Sequence, residues 1–131
     1  MLEKIFGCGR DYSLLILRLF VGGVFAAHGW LKLANLQGFA GFLEQAVGVP
    51  FPGVMAPAVA AVEFFGGLAL VLGASTRLAA LLLTGVMVVA MITVTLGKGF
   101  AGGYDLNLAL LGGLLALLLA GPGKPAVGGD L

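Results

Sequence analysis

One apolar stretch, residues 14–33 (LLILRLFVGGVFAAHGWLKL), constrains most strongly what this chain can fold into. It is long enough to cross a bilayer as a helix, which needs about 20 mainly apolar residues. Ionisable side chains inside such a helix are costly and usually face the protein interior. At about 100° per residue, one stripe of the helix collects a polar set: Arg18, Gly22, Phe25, Gly29 and Lys32, with His28 at its edge. We therefore expect other helices to cover this stripe.

The composition excludes a soluble globule and indicates a membrane protein. Of the 131 residues, 60% are hydrophobic and 10% are charged, and the mean hydropathy is +1.13. Soluble domains carry about 25% charged residues. A net charge of +1 predicts no nucleic-acid partner. The single cysteine, Cys8, excludes an internal disulfide or a CxxC redox pair, so we expect an inert thiol.

Apolar runs and turn signals predict an all-α fold, an integral membrane four-helix antiparallel bundle in a single domain over residues 1–131. The spans are predicted at about 14–33, 57–73, 78–96 and 105–120, with a short interfacial helix at about 37–47. Pro57 suits the first turn of the second span. Ser75 or Thr76 is the expected N-cap of the third. The tail after Gly121-Pro122-Gly123 is expected to be frayed.

Orientation follows from the distribution of Lys and Arg near the span ends. One side collects Lys4, Arg10, Arg77 and Lys124, together with Arg18 if its side chain snorkels, whereas the other side collects Lys32 and Lys98. We therefore expect a multi-pass protein of the bacterial inner membrane with both termini in the cytoplasm. A cleaved signal peptide is disfavoured, because the apolar run continues past the candidate cleavage site to Leu33.

Polar residues of separate spans fall at one depth near the non-cytoplasmic end. At about 1.5 Å per residue, His28 and Glu63 both lie roughly 9 Å below that boundary. The predicted polar cluster is His28, Lys32, Glu63, Thr95, Asp105 and Asn107. Arg18 lies about 15 Å away along the helix axis and is assigned with Arg77 to an inner cationic end. Such a cluster suits a polar head group, a quinone ring or a proton relay.

Each residue of the cluster also has a structural interpretation. Glu63 serves as an ion pair between helices, His28 as a satisfied interior hydrogen-bonding group, Lys32 as a snorkelling cation and Asp105 as an N-cap. Arg18 is expected to snorkel or to contact phospholipid. One histidine excludes bis-histidine haem ligation, and no metal-ligand spacing is present. The sequence also lacks a GxGxxG after a strand and a P-loop.

The residues of this stripe also carry a family resemblance. In order and spacing, nearly the whole chain resembles the DoxX family of small bacterial membrane proteins. The first helix contributes Arg18-Leu19, Gly22, Phe25, His28-Gly29-Trp30 and Lys32. The part of the chain after the first helix contributes Glu63, Gly66–Leu70, Leu72-Gly73, Thr76–Ala80, Gly99-Phe100 and Gly121-Pro122-Gly123.

The resemblance implies a four-helix membrane bundle and a link to redox or sulfur-handling systems, since the family is named for a subunit of a thiosulfate–quinone oxidoreductase. Two positions depart from many relatives. Thr95 stands where they carry a second histidine, and Asp105 stands where they carry Glu. A hydroxyl accepts hydrogen bonds but no proton near neutral pH, so chemistry that needs two histidines is in doubt.

Two functional interpretations follow, and the sequence leaves both open. The first is an accessory subunit of a membrane redox system, not catalytic alone, that offers its polar cluster to a quinone or to a partner's substrate. No covalently bound cofactor is expected, and the expected partners are the lipid bilayer and a soluble or membrane redox subunit. The second is a scaffold or assembly protein with a structural cluster. A solute or proton pathway ranks last, and homo-oligomerisation is left open.

Overall fold

The computed structural model describes residues 9–128, so the predictions for Lys4 and Cys8 lie outside the described residues. The α-helices in this part of the chain are α1 (Gly9–Ala34), α2 (Leu36–Phe42), α3 (Pro52–Leu72), α4 (Thr76–Ala90) and α5 (Asp105–Ala120). Short π-helical segments cover Leu43–Val47 and Met91–Thr95, and a 3₁₀ turn covers Leu96–Lys98. Phe100–Tyr104 is a kinked turn whose backbone is non-helical at Ala101 and Gly102.

Four helical segments are long and apolar enough to cross a membrane: Gly9–Ala34, Pro52–Leu72, Thr76–Lys98 and Phe100–Ala120. They pack as a helical bundle, with α1 against α3 and α4 against α5 as the most extensive interfaces. This confirms the prediction of an all-α integral membrane bundle. The short helix α2 and the π-helical turn after it lie between the first two spans and pack against α3.

Glycines allow α1 and α3 to cross at very short range. A Cβ atom built on Gly22 would lie 2.6 Å from the carbonyl oxygen of Gly67. A Cβ on Gly29 would overlap the backbone of Phe64, and one on Gly67 would overlap Ala26. Small residues permit such approach between membrane helices, where lipid supplies no hydrophobic drive for association. The crossing brings the polar side of α1 against Glu63 on α3.

The structure corrects one predicted helix start and confirms the position of one predicted N-cap. Helix α3 begins at Pro52 instead of Pro57, because Pro52 occupies the first helical turn, where an N–H is not required. Ser75 occupies the N-cap position of α4 but its side chain makes no capping hydrogen bond. The buried hydroxyl of Thr76 has no partner in the described residues. The predicted N-cap position at Ser75 is therefore confirmed, but neither hydroxyl makes a capping hydrogen bond.

The segment that follows α5 is docked rather than frayed. The amides of Val127 and Gly128 donate to the carbonyls of Leu72 and Gly73, each at 3.0 Å. The amide of Lys124 donates to the Asp11 carboxylate at 3.2 Å. Backbone groups that would otherwise lack partners are satisfied in this way. The described chain ends therefore lie together at one end of the bundle.

Arg18 holds this tail in place, which corrects the expectation that it snorkels or contacts phospholipid. Its side chain is 1% exposed. One guanidinium nitrogen donates to the Pro122 carbonyl at 2.9 Å and the other to the Pro125 carbonyl at 2.7 Å. A planar guanidinium reaches two acceptors at once, and the carbonyls beyond a helix C-terminus attract a cation. Arg18 is thus a structural clamp at one end of the bundle.

Candidate ligand-binding site

A cavity of about 470 Å³ opens at the end of the bundle opposite Arg18. We call it the polar cavity, and it lies among α1, α3, α4 and the start of α5. It is lined by Phe25, His28, Glu63, Met87, Thr95, Gly102, Gly103, Asp105, Leu106, Asn107 and Leu110. Five of the six residues of the predicted cluster therefore line one cavity. The sixth, Lys32, reaches it only through its partner Glu63.

Lys32 and Glu63 form an ion pair between α1 and α3. The ammonium nitrogen lies 2.7 Å from both carboxylate oxygens. The Glu63 side chain is 6% exposed and that of Lys32 is 27% exposed. An ionised carboxylate away from water requires such a partner. The ammonium group also lies 4.8 Å from the centre of the Phe39 ring on α2. The pair thus links the short helix to two spans.

His28 lies at the exposed mouth of the polar cavity. Its Nδ1 atom is 2.9 Å from the carbonyl oxygen of Val24, one turn earlier in α1. A carbonyl only accepts hydrogen bonds, so Nδ1 must carry the proton that is shared. In the neutral imidazole, Nε2 then presents a free lone pair. The imidazole is held by its own helix and keeps one acceptor available for a ligand.

The start of α5 supplies two further polar groups, Asp105 and Asn107. Tyr104 occupies the N-cap position, so the expectation that Asp105 is the N-cap is wrong. The Asp105 carboxylate accepts from the amides of Gly102 at 3.2 Å and Leu106 at 2.8 Å. The side-chain amide of Asn107 donates to the sulfur of Met87 at 2.9 Å. These bonds fix both side chains at the cavity wall.

Thr95 differs from Thr84 and Thr93, which precede it in the same span. Its buried hydroxyl has no hydrogen-bond partner among the described residues. Thr84 and Thr93 donate to the carbonyls of Ala80 and Val89 in their own helix, at 2.6 and 2.7 Å. An unpaired buried hydroxyl costs free energy unless a ligand or water satisfies it. Thr95 therefore brings to the cavity wall a hydroxyl that its own helix does not use.

A second cavity of about 370 Å³ runs between α2, α3 and α4 and is lined almost entirely by apolar side chains. We call it the apolar groove. Its walls are Phe39, Phe42, Leu43, Val47, Val49, Met55, Val59, Glu63, Leu82, Gly85, Val86, Val89, Ala90, Thr93 and Val94. Glu63 lines the groove as well as the polar cavity. A polar and an apolar compartment therefore meet at one carboxylate.

The cationic pair predicted for the other end lies outside this site. Arg77 donates to the carbonyl of Leu119 at 3.4 Å, and its guanidinium lies beside Gly121. With Arg18, it binds the backbone at the end of α5. The sequence reasoning missed the apolar groove and the contribution of Met87. A groove that assembles from three separate helices leaves no local pattern in any one of them.

Comparison with known proteins shows which family the chain resembles. The DoxX family model matches residues 13–96. The chain is 35% identical over 124 residues to "Inner membrane protein YqjF" of Escherichia coli (strain K12), covering 90% of this chain and 91% of the relative. It is 33% identical over 111 residues to "Putative oxidoreductase CatD" of Bacillus subtilis (strain 168), covering 85% and 81%. No solved structure matches the chain.

Four candidate spans and a relative named as an inner membrane protein identify a multi-pass protein of the inner membrane. The family model covers well over half of the chain, and both relatives match it over most of their own length. The glycine crossing, the Lys32–Glu63 pair and the clamp on the tail occupy the positions that carried the resemblance. The chain belongs to the DoxX family.

Proposed function

We propose that this protein is an accessory subunit of a membrane redox system and that it binds a membrane quinone. The observation that carries the proposal is the position of Glu63, which lines both the polar cavity and the apolar groove. A quinone has a polar ring and a long hydrocarbon tail. The ring would occupy the polar cavity, and the tail would lie in the groove beneath α2.

The chemistry of the two compartments supports this class of ligand. Binding sites for small molecules are mostly apolar, with a few polar groups that fix orientation. Here the polar groups are confined to one compartment, whereas the groove offers apolar side chains and the single carboxylate of Glu63. The name of the Bacillus subtilis relative describes an oxidoreductase. In the accessory role proposed here, a partner subunit would supply the electron-transfer chemistry.

Photolabelling with an azidoquinone tests this proposal in lipid nanodiscs. Adducts are mapped by mass spectrometry, with excess decylubiquinone as the competitor. We expect competed adducts at residues of the polar cavity. Gly85→Leu should reduce labelling at least tenfold, because Gly85 lines the groove and a Cβ atom added there meets no atom of the protein within 4 Å.

Gly112→Leu is the matched control. Gly112 also has no atom within 4 Å of an added Cβ, but it lines neither the polar cavity nor the apolar groove. The Gly112→Leu protein should be labelled to the same extent as the unmodified protein. Adducts that are scattered over the lipid-facing surface, or that decylubiquinone fails to displace, would contradict quinone binding at this site.

A scaffold or assembly protein is the second candidate. It is favoured by the internal satisfaction of several cluster residues, since Glu63, Asp105 and Asn107 all have protein partners. In that case the polar cluster serves packing alone. Glu63→Gln would then lower stability but leave the cellular phenotype intact once expression is restored. A phenotype that persists at restored expression would rule this candidate out.

A further inference from the structure

We infer that the polar cavity selects the reduced, hydroxyl-bearing form of its ligand, a quinol, over the oxidised quinone. This rests on the proposed quinone binding and adds to it which redox form is bound. The two forms share a ring and a tail but differ in hydrogen bonding. A quinol donates two O–H groups, whereas a quinone has only carbonyl acceptors.

The hydrogen-bonding groups that face the cavity are mainly acceptors. His28 donates its Nδ1 proton to the Val24 carbonyl, so the neutral ring offers Nε2 as an acceptor. Glu63 and Asp105 are carboxylates, which only accept when ionised. Each of their oxygens has more than one lone pair, so capacity remains beyond the bonds from Lys32, Gly102 and Leu106.

The donors at the cavity are few. Asn107 uses its side-chain amide nitrogen on the Met87 sulfur, which leaves its carbonyl oxygen and one further N–H. The Thr95 hydroxyl is unpaired and serves either form equally, because it both donates and accepts. The Lys32 ammonium is held by both oxygens of Glu63 and does not line the cavity.

A quinone in this cavity would therefore place its carbonyl oxygens against other acceptors. A site that is built to bond a donor discriminates strongly against an analogue without one, because its buried polar groups lose their partners. Preferential binding of the quinol also shifts the midpoint potential of the bound quinone–quinol couple. For a two-electron couple, a tenfold preference raises the midpoint potential by about 30 mV.

Negatively charged substrates are disfavoured by the same wall. Two carboxylates face the cavity, and the arginines Arg18 and Arg77 bind the backbone at the opposite end of the bundle. An oxyanion would meet the carboxylate of Asp105, and the ammonium group of Lys32 is already paired with Glu63. We expect sulfate at millimolar concentration to leave ligand binding unchanged.

The test is anaerobic binding of decylubiquinol and decylubiquinone to the full chain in nanodiscs. We expect the quinol to bind at least tenfold more tightly. Asp105→Asn replaces an acceptor by a group that also donates, so the ratio should fall to about threefold or less. Asp11→Asn, a carboxylate at the other end of the bundle, should keep the ratio. Thr95→Val should weaken both forms together, and Thr84→Val should change neither.

The outcomes separate this inference from the function on which it rests. Equal affinities, or tighter binding of the quinone, would overturn the selectivity and leave quinone binding in place. Absence of binding for both forms would overturn both proposals. If Asp105→Asn does not assemble, His28→Leu removes the acceptor at the cavity mouth, and the ratio should fall as well. An unchanged ratio in a folded His28→Leu protein would contradict the assignment.

Discussion

Lys32 and Glu63 illustrate how a single side chain within a span depends on its partner. Glu63 is nearly inaccessible, and both of its oxygens lie 2.7 Å from the same ammonium group. Removing one member of a buried pair leaves an uncompensated charge, which costs about 3–5 kcal/mol. Replacing both members by apolar residues is often neutral. The pair therefore adds little net stability, but each member prevents the other from being left as an unpaired buried charge.

We expect Glu63→Gln to lower the free energy of unfolding by about 2–3 kcal/mol, at or below the lower end of that range because Lys32 is 27% exposed. The double variant Lys32→Met, Glu63→Leu should recover most of the loss. Reversible unfolding in mixed micelles measures both. Glu44→Gln, at an exposed position after α2, is the control and should be neutral. Equal destabilisation of the single and double variants would refute this account.

At the scale of elements, the α1–α3 crossing depends on glycines on both helices. Their role is spatial, because an added methyl group meets backbone atoms that cannot move independently. Gly29→Ala should destabilise the protein by about 1–3 kcal/mol, the usual range for overpacking. Gly23→Ala is the control, because a Cβ atom added at Gly23 meets no other atom within 4 Å. It should be neutral or stabilising by up to about 1 kcal/mol. Unfolding in mixed micelles again distinguishes them, and similar effects at both positions would argue against the crossing.

The docked tail is a second element whose position depends on one side chain. Arg18→Lys should release it, because a single ammonium group cannot bond both the Pro122 and Pro125 carbonyls in the same planar geometry. Hydrogen exchange at the amides of Val127 and Gly128, which bond Leu72 and Gly73, should accelerate at least tenfold. Arg10→Lys, at an exposed position in α1, should leave exchange unchanged. Continued protection in the Arg18→Lys protein would show that the backbone bonds suffice.

At the scale of the whole molecule, the two ends of the bundle have different chemistry. The polar cavity opens at one end. A layer of fully buried leucines, Leu70, Leu83, Leu114 and Leu117, separates it from the Arg18 end. The docked tail covers that end. The polar groups are therefore concentrated at the two ends of the described bundle.

The orientation of the bundle is tested by labelling cysteines in intact cells with an impermeant maleimide, in a Cys8→Ser background. Glu44→Cys, after α2, should be labelled from outside. Val127→Cys, an exposed position of the tail, should be labelled only after the membrane is permeabilised. This follows from the excess of Lys and Arg on the side of the termini. The reverse pattern would invert the assignment.

The sequence by itself determined the class of fold and the depth of the polar groups. Long apolar runs interrupted by glycine and proline leave few alternatives to spanning helices, because lipid satisfies no backbone polar group. Rise per residue then placed Glu63 and His28 at one level. Both line the same cavity in the structure. These properties are local or additive along a helix, so they are accessible without coordinates.

Only the tertiary structure decided which partner each polar group has. Arg18 binds carbonyls more than 100 residues away in the chain, and the unpaired hydroxyl of Thr95 is distinguishable from its paired neighbours only in three dimensions. The apolar groove exists because α2 folds back over α3 and α4. Hydrogen-bond partners and cavities depend on how helices rotate and cross, and packing between distant segments sets those angles.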